Sequence, residues 1–250
     1  MSKAITNVTS VAMPCMSREC RSNAYQSYSY FNLRDYGLAD KKAGIEQLAA
    51  RHHFIDIDRV GIYGHSGGGF MTAAALLLPP YNDFFKVGVS SSGNHDNNVY
   101  NQNWSEQYHG LTEVIAAQAA AATTNNGNGR QGGSQNGQNA GGVDTVITSA
   151  GGGRADTTFK IKVPANHELA ANLKGRLLLT HGDLDNNVHP AGTIRLANAL
   201  IRANKRFDLF IFPGQPHSYG PMQGYFTTMM FEYFAEHLIG DYYRGNATMH

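Results

Sequence analysis

The sequence predicts an α/β fold, a mostly parallel sheet flanked by helices, and two observations carry that reading. Four short apolar runs each end in a glycine or polar turn, and most are trailed by a stretch of helical pattern. Strand, turn and helix in repetition is the βα grammar of a parallel sheet, whose strands are buried on both faces. In addition, 250 residues with 42% hydrophobic content suffice to bury one full core, since single domains commonly run to about 250 residues.

The elements follow in order. Residues 38–52 read as a helix with Ile45, Leu48 and Ala49 facing inward. The first strand is Arg59-Val60-Gly61-Ile62-Tyr63-Gly64, followed by an Ala/Leu-rich helix over 70–78 that Pro79-Pro80 must end. Residues 84–91 form the second strand and 177–182 the third. The third is trailed by a helix over 193–204 that places Ile194, Leu196, Ala197, Leu200 and Ile201 on one face. Residues 207–214 make the fourth strand and its turn, and an aromatic-rich helix over 225–238 closes the domain. Residues 1–20 are atypical and 21–250 make one domain. Between 116 and 153 the composition shifts to Ala, then to Asn, Gln, Gly and Ser. Such a tract cannot offset its ordering entropy by burial, so 122–142 is expected to be a disordered surface insertion.

Composition excludes several classes of partner. The formal net charge is +1 and no Lys/Arg run stands out, so no footprint for nucleic acid is present. The first residues lack the apolar stretch of a signal peptide, and nothing approaches the ~18 apolar residues of a membrane span, so the chain reads as soluble and unexported as it stands, its compartment of origin unknown. Cys15 and Cys20 are the only cysteines, too few for a disulfide scaffold. Zinc-hydrolase patterns such as H-E-x-x-H are absent, so neither metal nor cofactor is expected.

Three segments carry chemistry. Gly64-His65-Ser66-Gly67-Gly68 fits G-x-S-x-G directly between a strand and a helix, the context of a nucleophile elbow. Small residues two before and two after the serine are needed because the sharp turn presses backbone against backbone. Ser66 then stands clear of the sheet, and the Gly67 amide at the helix N-terminus can donate to an oxyanion. His181-Gly182-Asp183-Leu184-Asp185 follows a buried strand and offers two candidate acids, Asp183 and Asp185, at the sheet edge where functional groups gather. Phe212-Pro213-Gly214-Gln215-Pro216-His217 brings a histidine to that same edge. Nucleophile, acid and base in this chain order are those of an α/β-hydrolase. A serine hydroxyl needs a base near neutrality to take its proton, and an imidazole supplies one that a carboxylate can orient. His65, His181 and His189 read as loop-holding residues, and His52-His53 as a solvated helix end.

With these residues in view, the chain resembles the catalytic domain of dipeptidyl peptidase IV-like serine peptidases of the prolyl oligopeptidase family. The marks are Asn32-Leu33-Arg34-Asp35-Tyr36-Gly37, the elbow with its strand from Asp58, the His181–His189 segment, and Pro213-Gly214-Gln215-Pro216-His217. The resemblance selects Asp185 as the acid and implies that Asn187, with Val188 beside it, contacts the substrate. It also implies that Tyr100 and Trp104 wall a pocket for proline, whose flat ring suits an aromatic slot. The activity implied is cleavage of peptides after proline or alanine through an acyl-enzyme. A general esterase on the same triad and a catalytically silent remnant are the rival readings. Family members carry an N-terminal β-propeller and an upstream tyrosine that completes the oxyanion hole, and Tyr25, Tyr28 and Tyr30 lie too near Ser66 to be it. The chain therefore reads as truncated and lacking the early strands of the fold. The uncovered sheet edge leaves room for a homo-oligomer.

Overall fold

The computed structural model describes residues 27, 30–115 and 157–240; the 122–142 tract, Cys15, Cys20, Tyr25 and Tyr28 lie outside them. Four parallel strands in the order β1-β2-β5-β6 make the main sheet: β1 Val60–His65, β2 Phe85–Ser91, β5 Arg176–Gly182 and β6 Asp208–Phe212. A second ladder pairs β3 Leu111–Ile115 antiparallel with β4 Thr157–Ile161. It sets residue 115 opposite residue 157, so the two ends of the polar tract lie side by side.

The apolar runs of β2 and β5 become strands because both faces of the sheet are covered there, whereas β6 at the edge of the sheet exposes Asp208 and Leu209. Leu177 and Leu179 point into one cluster with Leu38, Ile45, Ile62, Leu76, Leu77, Leu196 and Leu200. Leu178, between them, points into the opposite cluster with Val87, Val89, Phe212, Tyr219, Phe226 and Phe234, as the two-residue period of a strand requires. Each such leucine, fully buried, is worth about 1.5–3 kcal/mol before entropy is counted. Helix α2, Gly67–Leu77, is buried at every position from Gly68 onward and packs on β1 and β2.

Several boundaries and faces differ from the sequence expectation. Helix α1 runs Leu33–Arg51, starting five residues earlier than expected, because Asn32 caps it by accepting from the Asp35 amide at 3.1 Å. Leu48 on that helix is 41% exposed. A short α3, Tyr81–Phe84, follows Pro80, and α4, Gln102–His109, carries Trp104. Helix α5 spans Ala191–Arg202, and while Leu196, Ala197 and Leu200 are buried, Ile194 and Ile201 at the margins of the stripe face outward. Helix α6, Gln223–Phe234, widens into a π-turn over Ala235–Ile239. The β3–β4 ladder was not anticipated, since its strands pair across the long polar tract.

Arg34 shows how α1 is tied to the rest. Its guanidinium is buried, donates to Pro164 O at 2.5 Å, pairs with Asp35 at 2.6 Å and lies over the Phe70 ring. A buried charge persists only when so satisfied. Asn166, beside it, donates to Phe70 O and holds His95, which fixes the loop after β2 against α2.

Candidate active site

The parallel strands β1, β2, β5 and β6 end on one edge, and Ser66, Asp185 and His217 come from the turns that leave it. At the end of β1, Ser66 adopts φ 57°, ψ −123°, a left-handed conformation that a side chain other than glycine adopts only under constraint. The constraint is visible. A Cβ on Gly64 would stand 2.3 Å from Gly68 O, so strand and helix meet backbone to backbone here. The Ser66 amide donates to Ser91 O at 2.8 Å, tying the elbow to β2. Gly67 opens α2, where the first amides have no partner within the helix, and a Cβ there would meet nothing within 4 Å.

After β5 the chain turns back so that Asp185 points under it. Asp185 is 3% exposed, and its Oδ1 accepts from the amides of Asn187 (3.0 Å) and Val188 (2.8 Å). Its Oδ2 accepts from His217 Nδ1 at 2.6 Å. Burial pushes this carboxyl up, but the bonds from His217, Val188 and Asn187 outweigh it and hold Asp185 below its ordinary value. Asp183, the other candidate acid, is exposed and accepts from the Gly214 amide at 2.6 Å. That is a turn-capping role, and the structure brings Asp185 to His217.

His181 completes the underside. Its Nε2 lies 2.8 Å from Val188 O and 3.1 Å from Asp185 Oδ2, and its Nδ1 lies 2.7 Å from Thr193 Oγ1. Both partners of Nε2 only accept, so Nε2 carries the proton and Nδ1 receives the threonine hydroxyl. Burial lowers its pKa and keeps it neutral. His181 thus holds loops, as expected, and so does His189, whose Nδ1 accepts from the Ala191 amide. His52 and His53 are exposed beside Phe54.

His217, half-buried, packs its ring against His65 at 4.5 Å between centroids. Since His65 directly precedes Ser66, the imidazole stands beside the elbow. No hydrogen bond joins Ser66 Oγ to His217 among the described residues. The structure therefore brings Asp185 and His217 into contact and packs His65, the residue before Ser66, against the His217 ring. On the rim, the Tyr100 hydroxyl donates to Asn187 Oδ1 at 3.3 Å, and Trp104 meets the Tyr100 ring edge-on at 5.5 Å. Burial, then the nearby Asp185 charge, raises the Tyr100 phenol. Val188 is 2% exposed, and its contacts here are the backbone bonds to Asp185 and His181. Among the described residues no group of three or more His, Cys, Asp or Glu is arranged to hold a metal, and no helix is long and apolar enough to cross a membrane.

Sequence reasoning passed over one cluster. Ser91, Ser92, Thr180 and Tyr219 gather their hydroxyls within 2.7–3.2 Å at the ends of β2 and β5. The run Ser90-Ser91-Ser92 at the end of β2 marks one side of the cluster but does not name Tyr219 as its partner.

The model of the prolyl oligopeptidase family matches residues 10–126 and 153–241. The chain belongs to the prolyl oligopeptidase family. It is 30% identical over 181 residues to dipeptidyl peptidase 8 of Homo sapiens, covering 72% of this chain and 16% of that protein. It is 28% identical over 196 residues to dipeptidyl peptidase family member 1 of Caenorhabditis elegans, covering 78% and 19%. The crystal structure of Porphyromonas gingivalis dipeptidyl peptidase 4 superposes with a TM-score of 0.62 at 22% identity, over 87% of this chain and 25% of that one. That likeness carries the fold, an α/β-hydrolase domain. The chain spans a quarter or less of the length of these proteins.

Proposed function

We propose that this family member is a serine peptidase of the dipeptidyl-peptidase type, with Ser66 as nucleophile, His217 as general base and Asp185 as its orienting acid. The observation that carries the reading is the 2.6 Å bond between buried Asp185 and His217, whose ring stands beside a strained serine elbow. In this scheme Ser66 Oγ attacks the scissile carbonyl carbon as His217 Nε2 takes its proton. Asp185 then stabilises the imidazolium, and its position under the loop keeps Nδ1 as the proton-bearing nitrogen facing it. The tetrahedral oxygen accepts from the Gly67 amide. Collapse breaks the C–N bond, and His217 returns the proton to the departing amine. Water, deprotonated by the same imidazole, releases the acyl group and regenerates Ser66.

Peptide is the substrate class supported by family membership. Tyr100 and Trp104 form the aromatic wall proposed for a proline or alanine side chain, and exposed Asn187 the group that holds the substrate backbone. Comparing turnover of Gly-Pro-p-nitroanilide with that of a p-nitrophenyl ester tests the assignment. Peptidase function predicts release of nitroaniline that is lost in Ser66→Ala. Hydrolysis of the ester alone would make the domain an esterase on the same residues.

A further inference from the structure

We propose that Tyr219 and Ser92 are positioning residues that set the register of the base His217 against the nucleophile Ser66 through a buried hydroxyl network. The inference rests on the serine-hydrolase reading above and adds to it the parts that hold its two halves in place.

The network starts on the nucleophile side. The Ser66 amide is held by Ser91 O at 2.8 Å, and the preceding His65 has its Nδ1 2.9 Å from Ser91 Oγ. Ser91 Oγ donates to the Tyr219 hydroxyl at 2.9 Å, which lies 2.7 Å from Thr180 Oγ1. Tyr219 stands two residues after His217. The base side has its own tether: Ser92 Oγ lies 3.1 Å from the His217 carbonyl and 3.2 Å from the Tyr219 oxygen.

The protons of Ser91, Ser92, Tyr219 and His65 can be assigned. A carbonyl only accepts, so the Ser92 hydroxyl donates to His217 O. Ser91 donates to Tyr219, which leaves the Tyr219 proton for Thr180 and makes His65 Nδ1–H the donor to Ser91. Ser91 and Tyr219 then each spend their single proton on a named partner, and Ser92 shares its proton between the His217 carbonyl and the Tyr219 oxygen. Burial raises the Tyr219 phenol and lowers His65 to about 4, so both stay neutral as this assignment needs.

Backbone strain marks the same residues. Of the five described non-glycine residues with positive φ, Ser66 (57°), Ser92 (45°) and Tyr219 (60°) are in this network, and Phe31 and Asn204 are elsewhere. Tyr219 and Ser92 are both 0% exposed, so neither can touch substrate. Strained conformations persist where surrounding structure over-determines them. Here the surroundings are the sheet ends that also hold the nucleophile and the base.

Two variants separate positioning from mere support. Tyr219→Phe keeps the ring stacked on Phe212 at 4.4 Å and removes the hub hydroxyl. Ser92→Gly removes the tether to His217 at a φ that glycine adopts freely, so its fold is expected to persist. A misplacement of the reacting groups by about 1 Å can cost ~100-fold. We expect kcat to fall ~10- to 100-fold in both variants, with KM changed less than about 3-fold and fluorophosphonate inactivation slowed in proportion to kcat. Melting temperature is measured alongside. Wild-type kcat and inactivation rate in Ser92→Gly, or losses that merely track the unfolded fraction, would overturn the inference and leave the serine-hydrolase reading standing. A folded wild-type chain that fluorophosphonate does not label would overturn both.

Discussion

Gly64→Ala puts the elbow under the most direct steric test the fold offers. The new Cβ would lie 2.3 Å from Gly68 O, 2.4 Å from Gly68 C and 2.9 Å from Gly68 Cα, about 1 Å inside ordinary contact. Extra methylenes forced against movable core side chains cost about 1–3 kcal/mol. At this position the obstacle is backbone in the first turn of α2, so relief requires the strand-to-helix turn itself to open. We therefore expect a loss of about 3 kcal/mol or more, which for a chain of this size lowers Tm by about 6–12 °C. Gly67→Ala is the matched control. Nothing lies within 4 Å of its Cβ and its backbone is not left-handed, so stability should equal the wild type or exceed it by up to about 1 kcal/mol. Thermal melts of the three proteins, with fluorophosphonate labelling in parallel, give the comparison. Gly67→Ala should keep labelling, because its amide remains. A Gly64→Ala protein melting within about 1 °C of wild type would refute the close approach on which the placement of Ser66 depends.

Other consequences follow from the same structure. Asp185→Asn should lower kcat by about 10,000-fold, as expected when an imidazole loses its orienting carboxylate, whereas Asp183→Asn, which touches only the Gly214 turn, should change it less than about 10-fold; steady-state kinetics of the pair decides between the two aspartates. Burial lowers the imidazoles of His95 to about 3 and His109 to about 4, from an ordinary 6.5. Between those values and 6.5 the unfolded chain binds more protons than the folded one, so this contribution to stability is fully present above about pH 6.5 and is lost as the pH falls toward 4. Urea melts at pH 7, 6 and 5 should show the midpoint falling with each step, and a flat midpoint would mean that these imidazoles are solvated. Deleting 122–142 and joining the ends should leave stability within about 1 kcal/mol, because closure entropy grows only slowly with loop length; a collapse of the melting transition would mean that the tract packs.

What the sequence made legible was whatever depends on local spacing. The strands announce themselves because burial on both faces demands unbroken apolar runs such as Leu177-Leu178-Leu179. The elbow is legible because a glycine at position 64 is a steric necessity of the turn. Helix faces were legible only at their centres: Leu196 and Leu200 are buried, but periodicity cannot say how wide the partner surface is, and so Leu48, Ile194 and Ile201 fall outside it. The start of α1 was available in Asn32 and Asp35, a capping pair read only as a family mark. The β3–β4 ladder and the Tyr219 network were illegible for a shared reason. Each joins residues far apart in the chain, 115 with 157 and 91 with 219, and no local pattern records such a partnership.

The central claim is that Ser66 is an activated nucleophile. Its most direct test is mass spectrometry of the folded chain after exposure to a fluorophosphonate, with Ser66→Ala treated alongside. The account predicts one covalent adduct, mapped to Ser66 and absent from the variant. An unmodified wild-type chain, or an adduct carried equally by Ser66→Ala, would contradict it.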